Sequence, residues 1–150
     1  MADVDPGWSG GDPGAVIGWT LVRAHHQVAR LFTETLAAAG LTPAQFGVLV
    51  QLASEPALSQ AEIARRVLVT PQSIGELLTS VQRLGLVDRT PARPGRATTV
   101  TLTVAGRAAL DRATPLVRDL NTPQALGLTP QEGATLNTLL HKVLRATTDP

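Results

Sequence analysis

Polar and charged side chains that could bind a nucleic acid are concentrated between residues 70 and 96. Six of them recur at helical spacing in one stretch: Gln72, Ser73, Glu76, Thr79, Ser80 and Arg83. Gln and Arg have the two-pronged geometry that matches the edges of adenine and guanine, and hydroxyl groups can bond to phosphates. A polar stripe on a helix is, however, more often a solvated face. The stripe alone therefore does not decide between these two interpretations.

Three arginines follow this stripe and favour the nucleic-acid interpretation. Arg93 and Arg96 lie in the segment PARPGRA (residues 91–97), whose prolines and glycine are typical of a turn, and Arg89 precedes it. The tip of a hairpin has no structural need for clustered arginines. The minor groove of DNA does attract them, because its potential is negative.

Two short helices are predicted to position the polar stripe. Ser59 and Glu62 form the pattern of a capping box, which predicts a helix that begins at Gln60. Thr70 is a favourable N-cap, and the proline after it is a favourable first residue, so a second helix is expected to run as far as Leu84. Two helices joined by a short turn in this way are typical of a helix-turn-helix.

A β-hairpin is predicted to present the arginines. Leu86–Thr90 is interpreted as its first strand. Thr98–Thr103 alternates apolar residues with threonine, which predicts a second, half-buried strand.

Longer helices are predicted on both sides of this region. Ala15–Ala39, Leu41–Glu55 and Val104–Asp119 have apolar residues at helical spacing, and a further helix is expected to begin at Pro130. Thr42 with Gln45, and Thr129 with Glu132, form two further capping-box patterns at the starts of helices. Pro115 lies inside the third pattern and is expected to kink or split that helix near its middle. The first and last helices are more apolar than the packing of one domain requires. Residues 1–14 are rich in Gly, Pro and Asp and are expected to form a flexible tail.

The composition excludes several classes of protein. The chain has 150 residues, a formal net charge of +1 and no cysteine, which excludes disulfides, thiolate metal sites and thiol redox switches. No apolar run reaches the roughly 18 residues of a membrane helix, and no secretory signal is apparent, so we expect a cytoplasmic protein. Two tryptophans and two phenylalanines are too few aromatic residues for a protein that binds single-stranded DNA or RNA by stacking on its bases. Residues 59–106 contain six arginines and three acids, and a positive field of this kind suits duplex DNA.

Patterns for metal binding and catalysis are missing from the sequence. His25 and His26 are adjacent, so they point about 100° apart on a helix and cannot chelate one metal as an i, i+4 pair does. There is no phosphate-binding glycine loop, no serine-nucleophile motif and no cysteine nucleophile. We therefore expect no metal, no cofactor and no enzymatic activity.

Six short motifs occur together between about Val16 and Thr147. They are Leu41-Thr42-x-x-Gln45-Phe46-x-x-Leu49-x-x-Leu52, Ser59-x-x-Glu62-Ile63-Ala64, Val69-Thr70-Pro71-Gln72-Ser73, Gly85-Leu86-Val87-Asp88-Arg89, Gly95-Arg96 and Leu102-Thr103-x-x-Gly106. In their order and gaps the chain resembles the MarR family of winged-helix transcriptional regulators. It departs from that family in the wing, where Pro94 precedes Gly95 and Arg96 and the aspartate that usually braces the arginine is missing.

The resemblance implies a fold that is mostly α with a small β-wing. Residues 15–150 would form a single domain, with a winged helix-turn-helix DNA-binding lobe at residues 41–103 and a helical dimerisation lobe built from residues 15–40 and 104–150. It also implies a repressor that is released by a small aromatic or phenolic effector bound between the lobes. The candidate residues for that effector pocket are Trp19, His26, Arg30 and Phe46.

The combined prediction is a homodimer that binds a palindromic operator in double-stranded DNA. The second short helix would enter the major groove and the wing tip would reach the minor groove or the backbone. The alternative is a winged-helix protein-interaction module without specific DNA binding. The predicted DNA-binding residues are Ser59, Gln60, Arg65, Thr70, Gln72, Ser73, Glu76, Thr79, Ser80, Arg83, Arg89, Arg93 and Arg96.

Overall fold

The computed structural model describes residues 11–148, and it confirms a mostly helical fold with a small β-wing. The predicted tail falls largely outside these residues; within them, Pro13–Ala15 forms a 3-10 turn, as does Gln124–Leu126. In chain order the helices and strands are α1 (Ile17–Ala37), α2 (Pro43–Ser54), β1 (Leu58–Ser59), α3 (Gln60–Arg66), α4 (Ser73–Arg83), β2 (Val87–Thr90), β3 (Thr99–Leu102), α5 (Val104–Leu120) and α6 (Pro130–Thr148).

Local capping signals define the start of several helices. At the start of α2, the Gln45 amide donates to the Thr42 hydroxyl oxygen at 3.2 Å, and the Thr42 amide donates to the side-chain oxygen of Gln45 at 3.0 Å. The same reciprocal arrangement opens α3 and α6. Each pair satisfies backbone N–H groups that have no partner inside the helix. All three predicted capping boxes are therefore confirmed.

The second short helix begins two residues later than the sequence indicates. Residues 71–72 form a turn, and α4 begins at Ser73. The Thr70 carbonyl accepts from the Ser73 amide at 3.0 Å and from the Ile74 amide at 3.2 Å, so the first turn mixes the tighter i to i+3 spacing with that of an α-helix. Thr70 still acts as a cap, because its hydroxyl oxygen accepts a bond from the Ser73 amide at 3.2 Å.

Pro115 does not split α5, which is continuous from Val104 to Leu120. The proline removes the N–H that would bond to the carbonyl of Asp111. Asp111 is exposed, so water can satisfy that carbonyl. One residue earlier, the Thr114 hydroxyl donates to the Leu110 carbonyl at 2.7 Å. The prediction of a split was wrong, because the lost bond lies on the solvent side of the helix; the alternative of a kink stays a prediction.

The sheet has three antiparallel strands in the order β1-β3-β2. Leu58 pairs with Val100, and Val87 pairs with Leu102. The side chains of Leu58, Val87 and Val100 are buried, so one face of the sheet covers the helices. The two-residue strand β1 was not predicted, since its existence depends on pairing with a strand 40 residues away rather than on a local pattern.

The core lies within the winged-helix lobe and the helices that flank it. Its fully buried side chains include Leu36, Leu49, Leu58, Ile63, Ile74, Leu78, Val81, Val87 and Val100. In contrast, α6 contributes no buried residue, and Leu139 and Leu144 are 53% and 58% exposed. An apolar stripe left open in this way marks an interaction surface.

Within residues 11–148, no helix is long and apolar enough to cross a membrane.

Candidate nucleic-acid interface

The exposed side of α4 carries most of the polar stripe predicted from the sequence. Gln72, Glu76 and Arg83 are exposed and line a shallow groove along the helix, together with Gly75 and Thr79. The Thr79 hydroxyl donates to the Gly75 carbonyl at 2.9 Å, so it offers an acceptor rather than a donor to a ligand. The groove therefore presents an amide, a carboxylate and a guanidinium side by side.

Thr70 and Ser73 lie at the start of α4 and are also exposed. The Thr70 hydroxyl donates to the Ser73 hydroxyl oxygen at 2.9 Å. The Ser73 hydroxyl keeps its own proton available for a partner outside the chain. This end of the helix can therefore donate to a phosphate or a base.

Ser80 faces the protein instead of the groove. Its hydroxyl donates to the Leu77 carbonyl at 2.6 Å and accepts a bond from the Gln45 side-chain amide at 3.2 Å. Gln45 belongs to the capping box of α2, so a single side chain caps one helix and ties it to α4. Sequence reasoning assigned Gln45 only to the cap, because no local pattern shows a partner 35 residues away.

Ser59 is also occupied inside the chain. Its hydroxyl donates to the Glu62 carboxylate at 2.6 Å and accepts from the Glu62 amide at 3.3 Å. Hydrogen bonds from the Ser59 side chain, and then from its backbone, hold the pKa of Glu62 below its ordinary value. Ser59 thus fixes the start of α3, with its hydroxyl proton already donated.

Gln60 and Arg89 were predicted as separate phosphate contacts, and the structure brings them together. The Nη2 atom of Arg89 donates to Oε1 of Gln60 at 2.9 Å. This bond connects β2, at the base of the wing, with the first turn of α3. It leaves the amide nitrogen of Gln60 and the other guanidinium donors of Arg89 for a ligand.

The tip of the wing is a narrow two-residue turn. The backbones of Arg93 and Arg96 bond to each other in both directions, at 3.1 and 2.8 Å. Pro94 and Gly95 form the corner, and Gly95 has a φ of 78°, which is the arrangement of a type II turn. Residues that pair directly across an antiparallel ladder project to the same face. Both exposed arginines therefore lie on one side of the tip, on a turn that their backbone pairing holds.

Arg65 completes the cationic group at the end of α3, where it is exposed. It borders a cleft of about 670 Å³ between α3, the start of α4 and the wing. The neighbouring Arg66 instead forms an ion pair with Glu55 at 2.6 Å. Arg65, Arg83, Arg93 and Arg96 are all exposed, with Arg83 on the polar groove of α4 and Arg93 and Arg96 at the wing tip.

The candidate effector residues lie in different environments. Trp19, His26 and Arg30 are exposed along α1, and Arg30 bonds to the side chain of Gln27 at 3.1 Å. Phe46 is half-buried and packs against the core of the winged-helix lobe. Their grouping into one pocket stays a prediction.

Among residues 11–148, no cluster of three or more His, Cys, Asp or Glu side chains could hold a metal ion.

Similarity to known sequences identifies the family to which the chain belongs. The sequence model of the MarR family matches residues 39–97. An HTH-type transcriptional repressor of Mycobacterium tuberculosis (strain ATCC 25618 / H37Rv) is 34% identical over 131 residues, which cover 86% of this chain and 94% of that repressor. The match extends well beyond the winged helix and includes most of the flanking helices.

Solved structures agree with the sequence match. A crystal structure of a Mycobacterium tuberculosis MarR family protein in complex with DNA has 32% identity and a TM-score of 0.69, and covers 86% of this chain and 98% of that one. The transcriptional repressor CouR bound to p-coumaroyl-CoA has 30% identity and a TM-score of 0.77, with 90% and 96% covered. The chain therefore belongs to the MarR family of winged-helix, DNA-binding transcriptional regulators.

Proposed function

We propose that this protein is a dimeric repressor that binds a palindromic operator through α4 and the wing. The observation that carries the proposal is the wing tip, where Arg93 and Arg96 are paired across a fixed turn in a chain whose α4 also carries an exposed polar groove. A helix of this kind fits the major groove, and an arginine tip fits the neighbouring minor groove.

Different side chains would read bases and bind the backbone. Gln72, Glu76 and Thr79 lie in the groove of α4 and are proposed to meet base edges. Gln60, Arg65, Thr70, Ser73, Arg83 and Arg89 surround them and are proposed as phosphate contacts. We assign Ser59 and Ser80 to holding the helices in place, because both hydroxyl protons are donated within the chain.

Dimerisation would supply the two-fold symmetry of the operator. The uncovered apolar stripe of α6 and the exposed Trp19 and Val22 of α1 are proposed to pair with a second copy, in a dimerisation lobe built from residues 15–40 and 104–150. Two recognition helices would then meet half-sites one helical turn apart, about 34 Å. Because the two helices are related by a two-fold axis, the operator should be close to a palindrome.

A small aromatic or phenolic effector is proposed to release the DNA. The support is the likeness to CouR, which was solved with p-coumaroyl-CoA. Trp19, His26, Arg30 and Phe46 are the proposed contacts, brought together where the two lobes of the dimer meet. An effector would act by binding more tightly to the spacing of recognition helices that does not fit the operator. Such a regulator would act in the cytoplasm and without catalysis.

Binding to duplex DNA can be measured directly by fluorescence anisotropy. Duplexes from the region upstream of the gene, or selected from random sequence, would be titrated at several salt concentrations. We expect the logarithm of the affinity to fall steeply with that of the salt concentration, because phosphate contacts release counterions. Arg96→Ala should weaken binding, whereas Arg118→Ala, which removes an exposed arginine from α5, should leave it unchanged.

Two outcomes would contradict the proposal. Equal binding by Arg96→Ala and wild type would exclude the wing from the interface. Failure to select any duplex would exclude specific DNA binding and favour the protein-interaction module.

A further inference from the structure

Gly75 lies in the first turn of α4, among the side chains proposed to meet DNA. Its backbone has the ordinary right-handed conformation, since its φ is not among the positive values in the chain. Glycine is less favourable in a helix than every residue except proline, because it loses the most backbone freedom. A glycine in this position therefore calls for a physical reason.

Two other helical glycines have such a reason inside the protein, whereas Gly18 in α1 is as open as Gly75. A methyl group on Gly106 would collide with the Leu86 carbonyl oxygen, and one on Gly133 would lie 2.8 Å from Cγ of Pro123. At Gly75 the nearest atom to an added methyl group is Nε2 of Gln60, at 4.0 Å, and no other atom lies within that distance. The fold has room for a side chain at residue 75 and gains nothing from its absence.

The open space at Gly75 faces the proposed DNA contacts. On one side is the groove formed with Gln72, Glu76 and Thr79. On the other is Gln60, whose side-chain oxygen holds Arg89. The missing side chain thus leaves a gap in the middle of this polar surface, where the backbone of α4 is uncovered.

We propose that Gly75 is a specificity-determining residue, at which the backbone of α4 lies directly against a base edge in the major groove. This inference rests on the proposed function and adds a position that has no side chain with which to bond to DNA. Close approach of backbone to a ligand is a recognised use of glycine. A side chain at residue 75 would hold the helix away from the bases and lengthen the bonds from its neighbours.

The test is Gly75→Ala, for which folding and binding should change in opposite directions. The melting temperature should rise by about 2–4 °C, because alanine favours the helix and meets no clash. Affinity for the selected operator should fall about tenfold, the scale of one lost base contact. The salt dependence should stay the same, since the phosphate contacts remain.

Gly47→Ala is the matched control. It makes the same change in α2, outside the proposed DNA and dimer contacts, where an added methyl group meets only Val67, at 3.4 Å, and it should leave operator affinity unchanged. Unaltered affinity of Gly75→Ala, an equal loss in Gly47→Ala, or a lower melting temperature of Gly75→Ala would overturn the inference. Failure of the wild-type protein to bind any selected duplex would instead refute the proposed function, and with it this inference.

Discussion

Gly106 is the point at which α5 docks against the end of the wing, and Gly106→Ala should destabilise the protein. The Thr103 amide donates to the Leu86 carbonyl at 3.1 Å, and the Thr103 hydroxyl oxygen accepts from the Gly106 amide at 3.0 Å. An alanine methyl group at residue 106 would collide with that same Leu86 carbonyl oxygen and lie 2.7 Å from Cδ1 of Leu102. The obstacle is backbone, which cannot rotate away.

Two opposing effects set the magnitude. Alanine is better than glycine in a helix by about 1 kcal/mol. Forcing an extra carbon into a packed site costs about 3 kcal/mol when neighbouring backbone must shift. The net loss is therefore about 2 kcal/mol in the free energy of unfolding, or about 4–8 °C in melting temperature for a chain of this size.

Urea unfolding and thermal melting should be measured at a fixed protomer concentration, because dimerisation makes stability concentration-dependent. Gly75→Ala is the comparison, since the same chemical change at an open position should raise stability. If Gly106→Ala is as stable as the wild type while Gly75→Ala behaves as expected, the close packing of α5 on Leu86 is not a feature of the folded protein.

Four further substitutions test other parts of the structure. Leu68 is 93% exposed and has a φ of 58°, a left-handed conformation that strains any residue but glycine. Leu68→Gly should therefore raise the free energy of unfolding in urea by about 0.5–1 kcal/mol, and a decrease would show that the residue is not strained. The bonds from Ser59 lower the pKa of Glu62 in the folded protein from its ordinary value of 4.5. As the pH falls below 4.5, Glu62 takes up a proton in the unfolded chain before it does so in the folded one. The free energy of unfolding therefore decreases until the pH has passed the lowered pKa. Glu62→Gln should reduce the dependence of stability on pH below 4.5, and an unchanged dependence would exclude the bonds between Ser59 and the Glu62 carboxylate. Gln45→Leu should lower the free energy of unfolding by about 1–2 kcal/mol, and Ser80→Ala should lower it by about 1 kcal/mol. Because the two side chains bond to each other, the double variant should lose less stability than the sum of the two single variants. Additive losses would show that the two side chains are not coupled.

The sequence predicted those parts of the fold that depend on neighbours within four residues. Thr42, Ser59 and Thr129 each begin a helix as expected, because a capping box is complete within one turn. Gly85 follows the second short helix with a φ of 72°, the left-handed conformation that a helix end favours. The Pro94-Gly95 corner of the wing was predicted on the same basis.

Features that depend on distant partners were not predicted. Ser80 looked like part of the exposed stripe, and only the packing of α2 shows that it faces Gln45. Arg89 and Gln60 are 29 residues apart, and their bond requires β2 to lie beside α3. The vacant space at Gly75 is also invisible in the sequence, because a glycine can mark a turn, a close contact or an open surface.

The most direct test of this account is hydroxyl-radical footprinting on the selected operator, with the wild type and the Arg93→Ala, Arg96→Ala double variant. We expect the wild type to protect a two-fold symmetric pattern, with outer minor-groove tracts from the wings flanking the region that α4 occupies. The double variant should lose the outer tracts and keep the central region. A footprint that is asymmetric, or that is the same for both proteins, would contradict the placement of α4 in the major groove with the wing beside it.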